Sequence, residues 1–485
     1  MNKITIYVLL ACLWTVSAVQ AQSFGSPAMR KLQMAEFAIS NFYVDKIDED
    51  KLIEDTLLVV QPVSNGPSEK IGILAGDRII AVNDSAIAGV KMSTEEIMKR
   101  LRGPKGSKVN LKIVRRGVQD PLVFTVKRDK IPILSLDASY MIQPKTGYIR
   151  INRFGATTAE EFKKAMKELQ KQGMKDMILD LQGNGGGYLN AAIDLANEFL
   201  GQKELIVYTE GRTAKRSDFY AKGNGEFRNG RLIVLVDEYT ASASEIVSGA
   251  VQDWDRGIIV GRRSFGKGLV QRPIDLPDGS MIRLTIARYY TPAGRCIQKP
   301  YDSSTDYNKD LIERFNHGEL MNADSIHFPD SLKVQTKKLG RTVYGGGGIM
   351  PDYFVPIDTT LYTDYHRNLV AKGAVIKFTM KFIEGHRKEL ANKYKKFGSF
   401  NEKFIIDDDM LATLREMGEK EGVKFNEEQY QKSLPLIKTQ LKALIARDLW
   451  DMNEYFRVMN TTNESVQKAL EILNSEEYQK KLRVN

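Results

Sequence analysis

The chain is poor in the residues that build disulfides and metal sites. Its 485 residues include two cysteines, Cys12 and Cys296, and four histidines. Besides Cys12 there is only Cys296, so an oxidising compartment has no intrachain disulfide to make. Because no group of cysteines and histidines has the spacing of metal ligands, the sequence indicates neither a metal nor a cofactor. The turn Thr291–Gly294 beside Cys296 favours a packed thiol over a nucleophile there.

Long apolar runs are also lacking, with one exception at the start of the chain. Lys3 precedes the run Ile4–Val19, and Val19-Gln20-Ala21 offers residues that a signal peptidase reads. The pattern predicts a signal peptide over 1–21 and an exported protein of the periplasm or cell envelope. Leu9-Leu10-Ala11-Cys12 resembles a bacterial lipobox, so a form anchored to the membrane through a lipidated Cys12 is the alternative.

The charge balance is basic, with 71 Lys and Arg against 61 Asp and Glu, a net charge of +10. A basic surface alone could indicate nucleic acid or an anionic membrane. There is no motif that interleaves aromatic and basic residues for RNA binding, and the lysines recur through amphipathic helical stretches. We therefore predict a solvated basic surface and no nucleic-acid partner.

The first part of the mature chain divides into a helical lead-in, 22–55, and a segment of strand periodicity, 56–130. Ser93-Thr-Glu-Glu96 has the spacing of a capping box and opens a predicted helix. Strands are predicted at Leu57–Val60, Val109–Val114 and Leu122–Val126. With Gly76-Asp77, Ile79-Ile80 and Val82-Asn83, this segment resembles a PDZ domain, which captures a peptide C-terminus by strand addition.

One part of the PDZ pattern is missing. In such domains a glycine-containing loop receives the peptide carboxylate, and the first strand follows it. Here the lead-in runs almost directly from Glu54 into Leu57. The sequence therefore predicts a PDZ-like segment without its first strand and carboxylate loop, and with weakened or lost recognition of C-terminal tails.

The next region, 131–358, has an α/β pattern. Strands at Gly147–Ile151 and Met177–Leu181 flank a helix that begins near Thr158, and the second strand enters the loop Gln182–Gly187. This glycine-rich loop fits neither a P-loop nor a dinucleotide fingerprint. Its backbone N–H groups could equally serve an oxyanion.

Three further segments complete the organisation. Residues 301–339 are polar and predicted to form an exposed insertion, while Gly345–Asp352 is predicted to be a tight turn against the core. Residues 359–485 are predicted to be a helical C-terminal region. Its apolar stripe is typical of a core or an oligomer face, and it consists of Ile437, Leu441, Leu444, Ile445, Leu449, Met452 and Phe456.

The stretch from Val234 to Gln271 carries the chemistry. A buried strand, Leu232–Val236, leads to small residues around Ser242 at a strand-to-helix turn, where a hydroxyl would stay uncovered. Lys267 lies between two glycines, which let the backbone approach a neighbour closely. An ordinary βαβ unit with a serine-rich helix cap explains the same residues equally well on chemistry alone.

An exposed serine needs a base, and this stretch contains no histidine. A lysine serves when it is neutral, which requires burial or a nearby positive charge. Lys267 fits that role beside Phe265 and Leu269. Gln271 could hold the amine by a hydrogen bond without adding charge.

Several motifs in order resemble the carboxyl-terminal processing proteases, the tail-specific S41 peptidases. They are Thr240–Glu245, Phe265–Gly268 and Gln271, with Lys267 25 residues after Ser242. The resemblance implies an α/β protease core of ClpP/crotonase-like βαβ units over 131–358, carrying an inserted PDZ-like α+β domain and flanked by helical N- and C-terminal regions.

The resemblance also implies roles for single residues. Ser242 would be the nucleophile, Lys267 the general base and Gln271 its orienting partner. The oxyanion donors would be the backbone N–H groups of Ala243 and Gly187. The implied substrates are proteins or peptides with apolar C-termini, and the oligomeric state is left open.

Ser244 is the rival nucleophile, although the motif favours Ser242. Many members of the family carry Arg where this chain has Gln182, ahead of the glycine loop. The difference affects how the loop is supported and leaves the oxyanion donors themselves in place.

Two other functions stay open at this point. One is a non-catalytic PDZ-like scaffold for envelope proteins, although such a scaffold has no need of Ser242, Lys267 and Gln271. The other is an acyl-transfer enzyme that is not a protease.

Overall fold

The structure is a computed structural model that describes residues 57–63, 66–88, 90, 92–116, 118–131, 133–300 and 309–482. The predicted signal peptide and helical lead-in lie outside these residues. The strands are β1 Leu57–Leu58, β2 Arg78–Val82, β3 Ser85–Ala86, β4 Lys108–Val114, β5 Leu122–Lys127, β6 Leu136–Gln143, β7 Thr146–Ile151, β8 Asp176–Asp180, β9 Leu205–Glu210, β10 Ser217–Tyr220, β11 Leu232–Val236, β12 Ile258–Gly261, β13 Leu269–Asp275, β14 Met281–Tyr290, β15 Lys333–Gln335, β16 Thr342–Tyr344 and β17 Tyr353–Phe354.

The α-helices follow the same chain order and are concentrated after residue 360. They are α1 Pro67–Lys70, α2 Thr94–Leu101, α3 Thr158–Lys171, α4 Leu189–Asn197, α5 Ala243–Asp253, α6 Asp310–Asn316, α7 Asp364–Ala371, α8 Ala374–Lys393, α9 Phe397–Lys403, α10 Asp408–Lys420, α11 Glu427–Leu449, α12 Met452–Met459, α13 Glu464–Asn474 and α14 Glu477–Leu482. Within the described residues, no helix is both long enough and apolar enough to cross a bilayer.

The chain divides into two units. Of the described residues, the smaller one holds Leu57–Leu58, Arg78–Arg115 and Asp120–Asp129, and the larger one holds the rest. In the smaller unit, β1, β2, β4 and β5 pair in that order, with β3 beside β2. Alternate residues of β4 are buried, as expected for a sheet with one covered face.

The helix of the smaller unit begins as the sequence predicts. The Ser93 hydroxyl accepts from the Glu96 N–H at 3.3 Å, and the Glu96 carboxylate accepts from the Ser93 N–H at 3.0 Å, so the capping box is confirmed. At the other end, the Arg128 guanidinium donates to the carbonyls of Arg100 and Leu101. The last carbonyl groups of an α-helix receive no hydrogen bond from within the helix, and the Arg128 guanidinium supplies these missing bonds.

A six-stranded sheet forms the centre of the larger unit, in the order β17-β12-β11-β8-β7-β6. All neighbours are parallel except β6, which pairs antiparallel with β7. A second, antiparallel sheet has the order β10-β9-β14-β13. The α/β pattern predicted from residue 131 onward is confirmed by this arrangement.

The central strands are apolar throughout because both faces of the sheet are covered. One face, with Val234 and Val236 of β11, packs in a cluster with α3, α4 and α5. The other face, with Ile233 and Leu235, packs with α13 and α14. The last helices of the chain therefore complete the core of the sheet that carries the Ser242 turn.

The remaining C-terminal helices have a core of their own, so the predicted helical region is confirmed. The stripe residues Ile437, Leu441, Leu444 and Ile445 are buried within that core. The stripe is interrupted after Leu449, where α11 ends and Asp451 caps α12 by accepting from the Asn453 N–H. The core interpretation thus accounts for the first half of the stripe.

The prediction that 301–339 is an exposed insertion is wrong for part of its described portion, 309–339. Arg314 of α6 is only 3% exposed, and its guanidinium donates to the carbonyls of Arg263 and Ser264. The polar composition of this segment predicts exposure to solvent. The guanidinium of Arg314 is nevertheless buried, because backbone carbonyl groups of the core accept its hydrogen bonds. The turn Gly345–Asp352 does lie against the core, since the Gly348 N–H donates to the Ile297 carbonyl at 2.8 Å.

Candidate active site

Three segments that carry the predicted site residues lie at the carboxyl ends of neighbouring parallel strands. The glycine loop follows β8, the Ser242 turn follows β11, and the Lys267 loop follows β12. The carboxyl edge of a parallel sheet is the usual position for a ligand site in such folds. The order of strands β12-β11-β8 places the Ser242 turn between the other two segments.

Ser242 is the N-cap of α5 and has φ 58° and ψ −115°. A non-glycine residue in such a conformation costs of order 1–3 kcal/mol and persists only where its surroundings hold it. Sharp strand-to-helix turns of this kind expose a nucleophilic hydroxyl in α/β-hydrolases. The neighbouring side chains Ala241 and Ala243 are small and buried, whereas Ser242 itself is partly exposed.

Glu245 joins the Ser242 turn to the Lys267 loop. Its fully buried carboxylate accepts from the N–H of Ser242 at 2.7 Å and from the N–H of Lys267 at 2.9 Å, both through Oε2. Its Oε1 accepts from the Gly266 N–H at 2.7 Å and from the Ser264 hydroxyl at 2.5 Å. Burial raises the pKa of this carboxyl, and the four donors act in the opposite direction.

The remaining backbone groups of Gly266–Gly268 are also fixed. The Gly268 N–H donates to Oε1 of Gln298 at 2.9 Å. The carbonyl of Gly266 accepts from the Lys299 N–H, and that of Gly268 from the Tyr289 N–H, each at 3.0 Å. The Lys267 carbonyl accepts from the Tyr289 hydroxyl. All three N–H groups and all three carbonyls of this loop therefore have buried partners.

The glycine loop contacts the Ser242 turn directly. A Cβ atom on Gly186 would lie 2.8 Å from the backbone nitrogen of Ala243 and 2.8 Å from Cβ of Ser242. Gly187 has φ +153°, and a Cβ there would lie 2.0 Å from the Phe154 carbonyl oxygen. Only glycine fits these two positions without displacing the backbone.

Asn184 and Asp237 hold the glycine loop in place. The Asn184 carbonyl accepts from the Ala241 N–H at 3.0 Å, and its Oδ1 accepts from the Gly186 N–H at 2.8 Å. Oδ1 of Asp237 accepts from the Gly183 N–H at 2.9 Å, and burial raises the pKa of this carboxyl. The loop and the Ser242 turn are thereby hydrogen-bonded to each other.

The N–H groups of the two predicted oxyanion donors are without an acceptor in the described part of the chain. They belong to Gly187 and to Ala243, the first residue of α5, and Gly187 is exposed. An N–H in the first turn of a helix has no partner within the helix. The structure brings the two predicted oxyanion donors into one region beside Ser242.

Ser244, the rival nucleophile, lies below the surface. It is fully buried, and its hydroxyl donates to the Asn184 carbonyl at 3.0 Å. Attack on a substrate needs an accessible oxygen, so the surroundings favour Ser242. Ser244 instead contributes to the support of the glycine loop.

The departure at Gln182 is accommodated by residues from two other elements. Arg150 of β7 donates to the Gln182 carbonyl at 2.8 Å and also pairs with the buried Asp180 at 2.5 Å. The Gln182 side-chain oxygen accepts from the Asn463 amide at 3.0 Å. The start of the glycine loop is therefore supported by a guanidinium from the adjacent strand.

Gln271 lies on β13, four residues beyond Lys267, and is exposed. The pairing of β13 with β14 is irregular between Val270 and Gln271. This break in register occurs where the strand leaves the Lys267 loop. The role of Gln271 toward Lys267 stays a prediction.

Sequence reasoning gave no role to several residues that shape the site. Glu245 could have been found, because Ser242 and Glu245 have the Ser-x-x-Glu spacing of a capping box. Tyr289 and Gln298 reach the Lys267 loop from distant segments, and no local pattern reveals them. Lys299 is a buried lysine near the loop, whereas Lys267 is only partly buried, and the Nζ of Lys299 pairs with Asp310 at 2.8 Å.

Comparison with known protein families matches the two regions that the sequence motifs resemble, the α/β region and the PDZ-like segment. A family model described as "Peptidase family S41" matches residues 145–305, and one described as "PDZ domain" matches residues 58–115. A third, "Family of unknown function (DUF8443)", matches residues 365–451. The first match contains the glycine loop, Ser242 and Lys267.

A carboxyl-terminal-processing protease of Synechocystis is 40% identical over 248 residues, which cover 50% of this chain and 57% of that relative. The carboxy-terminal processing protease CtpB of Bacillus subtilis is 31% identical over 330 residues, covering 58% of this chain and 68% of that protein. The match thus spans less than two thirds of the length of the Synechocystis relative.

A solved structure, that of a photosystem II D1 C-terminal processing protease, is 29% identical. The match covers 64% of this chain and 70% of that one, with a TM-score of 0.33. A superposition this loose supports no comparison of atomic positions.

Proposed function

Since the chain belongs to the carboxyl-terminal processing proteases of peptidase family S41, we propose that it is a serine endopeptidase that cleaves protein substrates near their C-termini. Ser242 and Lys267 are its catalytic pair. The observation that carries the proposal is the buried carboxylate of Glu245, which accepts from the N–H groups of both residues. One fixed group thereby sets the backbone positions of the proposed nucleophile and base.

In the acylation half of the proposed reaction, Oγ of Ser242 attacks the scissile carbonyl carbon and its proton passes to the amine of Lys267. The carbonyl oxygen becomes an oxyanion, which the N–H groups of Ala243 and Gly187 stabilise. The C–N bond then breaks, and the leaving amine takes the proton from Lys267. The product is an acyl ester on Ser242 and a released C-terminal peptide.

In the deacylation half, Lys267 accepts a proton from water as the water oxygen attacks the ester carbon. The same N–H groups stabilise the second oxyanion. The bond to Oγ breaks, Ser242 regains a proton from Lys267, and the new carboxyl end of the substrate leaves. Gln271 orients the amine of Lys267 through its side-chain amide.

We further propose that the core of the larger unit has the ClpP/crotonase-like arrangement of βαβ units.

The proposed substrates are proteins or peptides with apolar C-termini, and we propose that tail capture by the PDZ segment is weakened. The motivating observation is the short join from Glu54 to Leu57. Binding of an apolar-tailed peptide to the full chain should then not depend on its terminal carboxylate. Micromolar affinity that is abolished by amidation of the peptide's terminus would refute this part of the proposal.

We propose that the protein acts after export, in the periplasm or cell envelope, with 1–21 as the signal peptide and lipidation of Cys12 as the alternative anchor. The predicted leader and the lipobox residues support this proposal. Mass spectrometry of the mature N-terminus distinguishes the two. A chain that begins at Gln22 indicates cleavage after Ala21, whereas a lipidated Cys12 indicates the anchored form.

Peptidase assay of the purified mature chain tests the activity. Two peptides that differ only in an apolar or a charged tail are incubated with the wild type and with Ser242→Ala as the blank. We expect cleavage near the C-terminus by the wild type, faster for the apolar tail, and none by the variant. Equal cleavage by both chains would refute the assignment of Ser242, and no cleavage by either would refute a peptidase activity on such tails.

A further inference from the structure

Tyr289 contacts the carbonyl oxygens of both proposed catalytic residues. Its single hydroxyl proton is shared between the Ser242 carbonyl, 3.0 Å away, and the Lys267 carbonyl, as in a bifurcated hydrogen bond. The side chain is only 2% exposed. Tyr289 belongs to β14 of the antiparallel sheet, whereas the Ser242 turn follows β11 of the parallel sheet.

The hydroxyl complements the bridge made by Glu245. Glu245 accepts from the N–H groups of Ser242 and Lys267, and the one hydroxyl proton of Tyr289 is shared between their carbonyl groups. The two side chains therefore fix the backbone of each residue on both its donor and its acceptor side. The Tyr289 N–H adds a third contact, to the Gly268 carbonyl at 3.0 Å.

We propose that Tyr289 is a positioning residue of the Ser242–Lys267 pair, an inference that rests on the proposed function. The hydroxyl holds the strained Ser242 turn and the Lys267 loop at a fixed separation through their backbone carbonyls. A nucleophile and its base must stay within hydrogen-bond reach. A displacement of about 1 Å can lower a rate about a hundredfold.

The substitution Tyr289→Phe removes the hydroxyl and keeps the ring that packs in the core. We expect kcat to fall about ten- to a hundredfold, with little change in KM, because the hydroxyl acts on the catalytic geometry and not on substrate binding. Tyr290→Phe is the matched control. Its ring stacks on Tyr208 with centroids 4.8 Å apart, and it should keep the wild-type kcat.

A second measurement does not need activity. Hydrogen–deuterium exchange is followed in the wild type, Tyr289→Phe and Tyr290→Phe, in peptides that cover 242–246 and 266–268. We expect faster exchange in both peptides for Tyr289→Phe alone. The melting temperatures of the three chains show whether either variant has lost its global fold.

The outcomes separate the two proposals. If the wild type cleaves and Ser242→Ala does not, an unchanged kcat in Tyr289→Phe overturns the role of Tyr289, and so does a loss that resides in KM. If neither the wild type nor Ser242→Ala cleaves, the proposed function fails and the exchange experiment decides. Unchanged exchange in both peptides would then overturn the positioning role, and faster exchange would support it.

Discussion

The glycine loop at Gln182–Gly187 and the lysine loop at Gly266–Gly268 use their backbone N–H groups in opposite ways. In the lysine loop, every N–H donates to a buried side chain, either Glu245 or Gln298. In the glycine loop, Gly183 and Gly186 donate to side chains, whereas the described part of the chain offers no acceptor to Gly187. Both loops contain glycine for different reasons. In the lysine loop it lets the backbone bond closely to buried side chains, and in the glycine loop it leaves the Gly187 N–H open to a ligand.

This difference teaches that a glycine-rich sequence does not reveal whether its N–H groups await a ligand. Backbone donors that are fixed before the substrate arrives stabilise a developing negative charge effectively. Donors that already have an acceptor cannot do so. The lysine loop is therefore suited to hold a side chain, and the glycine loop to receive an oxyanion.

The largest effect is expected at Ser242, the proposed nucleophile, which lies between the two loops. Ser242→Ala should lower kcat by about 10⁵-fold or more, as loss of a nucleophile does in other serine hydrolases. Ser244→Ala is the matched control because its hydroxyl supports the glycine loop and is not accessible. Loss of cleavage in the Ser244 variant alone would contradict the assignment.

A loss of about a thousandfold or more is expected when the base is removed from the lysine loop. Lys267→Ala and Lys267→Arg should be equally impaired, because an arginine keeps the charge and cannot be deprotonated. Steady-state kinetics on one peptide measures both. Substantial activity in the arginine variant would mean that Lys267 supplies charge rather than a base.

A loss of about a hundred- to a thousandfold in kcat is expected for Gly187→Ala, because the new Cβ would meet the Phe154 carbonyl and displace an oxyanion donor. Gly279→Ala is the control. Gly279 also has a positive φ, but a Cβ there meets no atom within 4 Å. Equal kinetics for the two variants would remove Gly187 from the oxyanion site.

The smallest effect is a dependence of stability on pH at Glu245. Burial raises the pKa of its carboxyl above the ordinary value of 4.5, so the folded protein holds the proton more tightly than the unfolded chain. This contribution is fully present below the unfolded pKa and is lost as pH rises through the folded pKa.

Glu245→Gln removes this titration. The melting temperature of the wild type minus that of the variant should therefore fall by about a few degrees as pH rises from about 4. Glu95→Gln, on an exposed face of α2, controls for the loss of one negative charge. A difference that rises with pH would show that the four hydrogen bonds lower the pKa of Glu245 by more than burial raises it.

Much of the fold follows from local pattern. The apolar runs at Leu232–Val236 and Met177–Leu181 predict strands, and the structure pairs these strands in parallel, where they position the glycine loop and the Ser242 turn. The order of motifs from Thr240 to Gln271 predicts the family. These features were accessible because each is determined by residues close together in sequence.

What could not be predicted depends on contacts between distant segments. Tyr289 reaches Ser242 across 47 residues, and Arg314 reaches Ser264 across 50. The error within part of 309–339 has the same cause, since charge patterning says nothing about a guanidinium that donates to backbone carbonyls. Glu245 is the exception, because its spacing from Ser242 is visible in the sequence.

The most direct test of the division between the two loops is a crystal structure of the protein after reaction with a serine-directed phosphonate. The account predicts a covalent bond to Oγ of Ser242 and a phosphoryl oxygen that accepts from the N–H groups of Ala243 and Gly187. The N–H groups of Gly266–Gly268 should remain bonded to Glu245 and Gln298. A phosphoryl oxygen bound by the lysine loop, or an adduct on Ser244, would contradict the account.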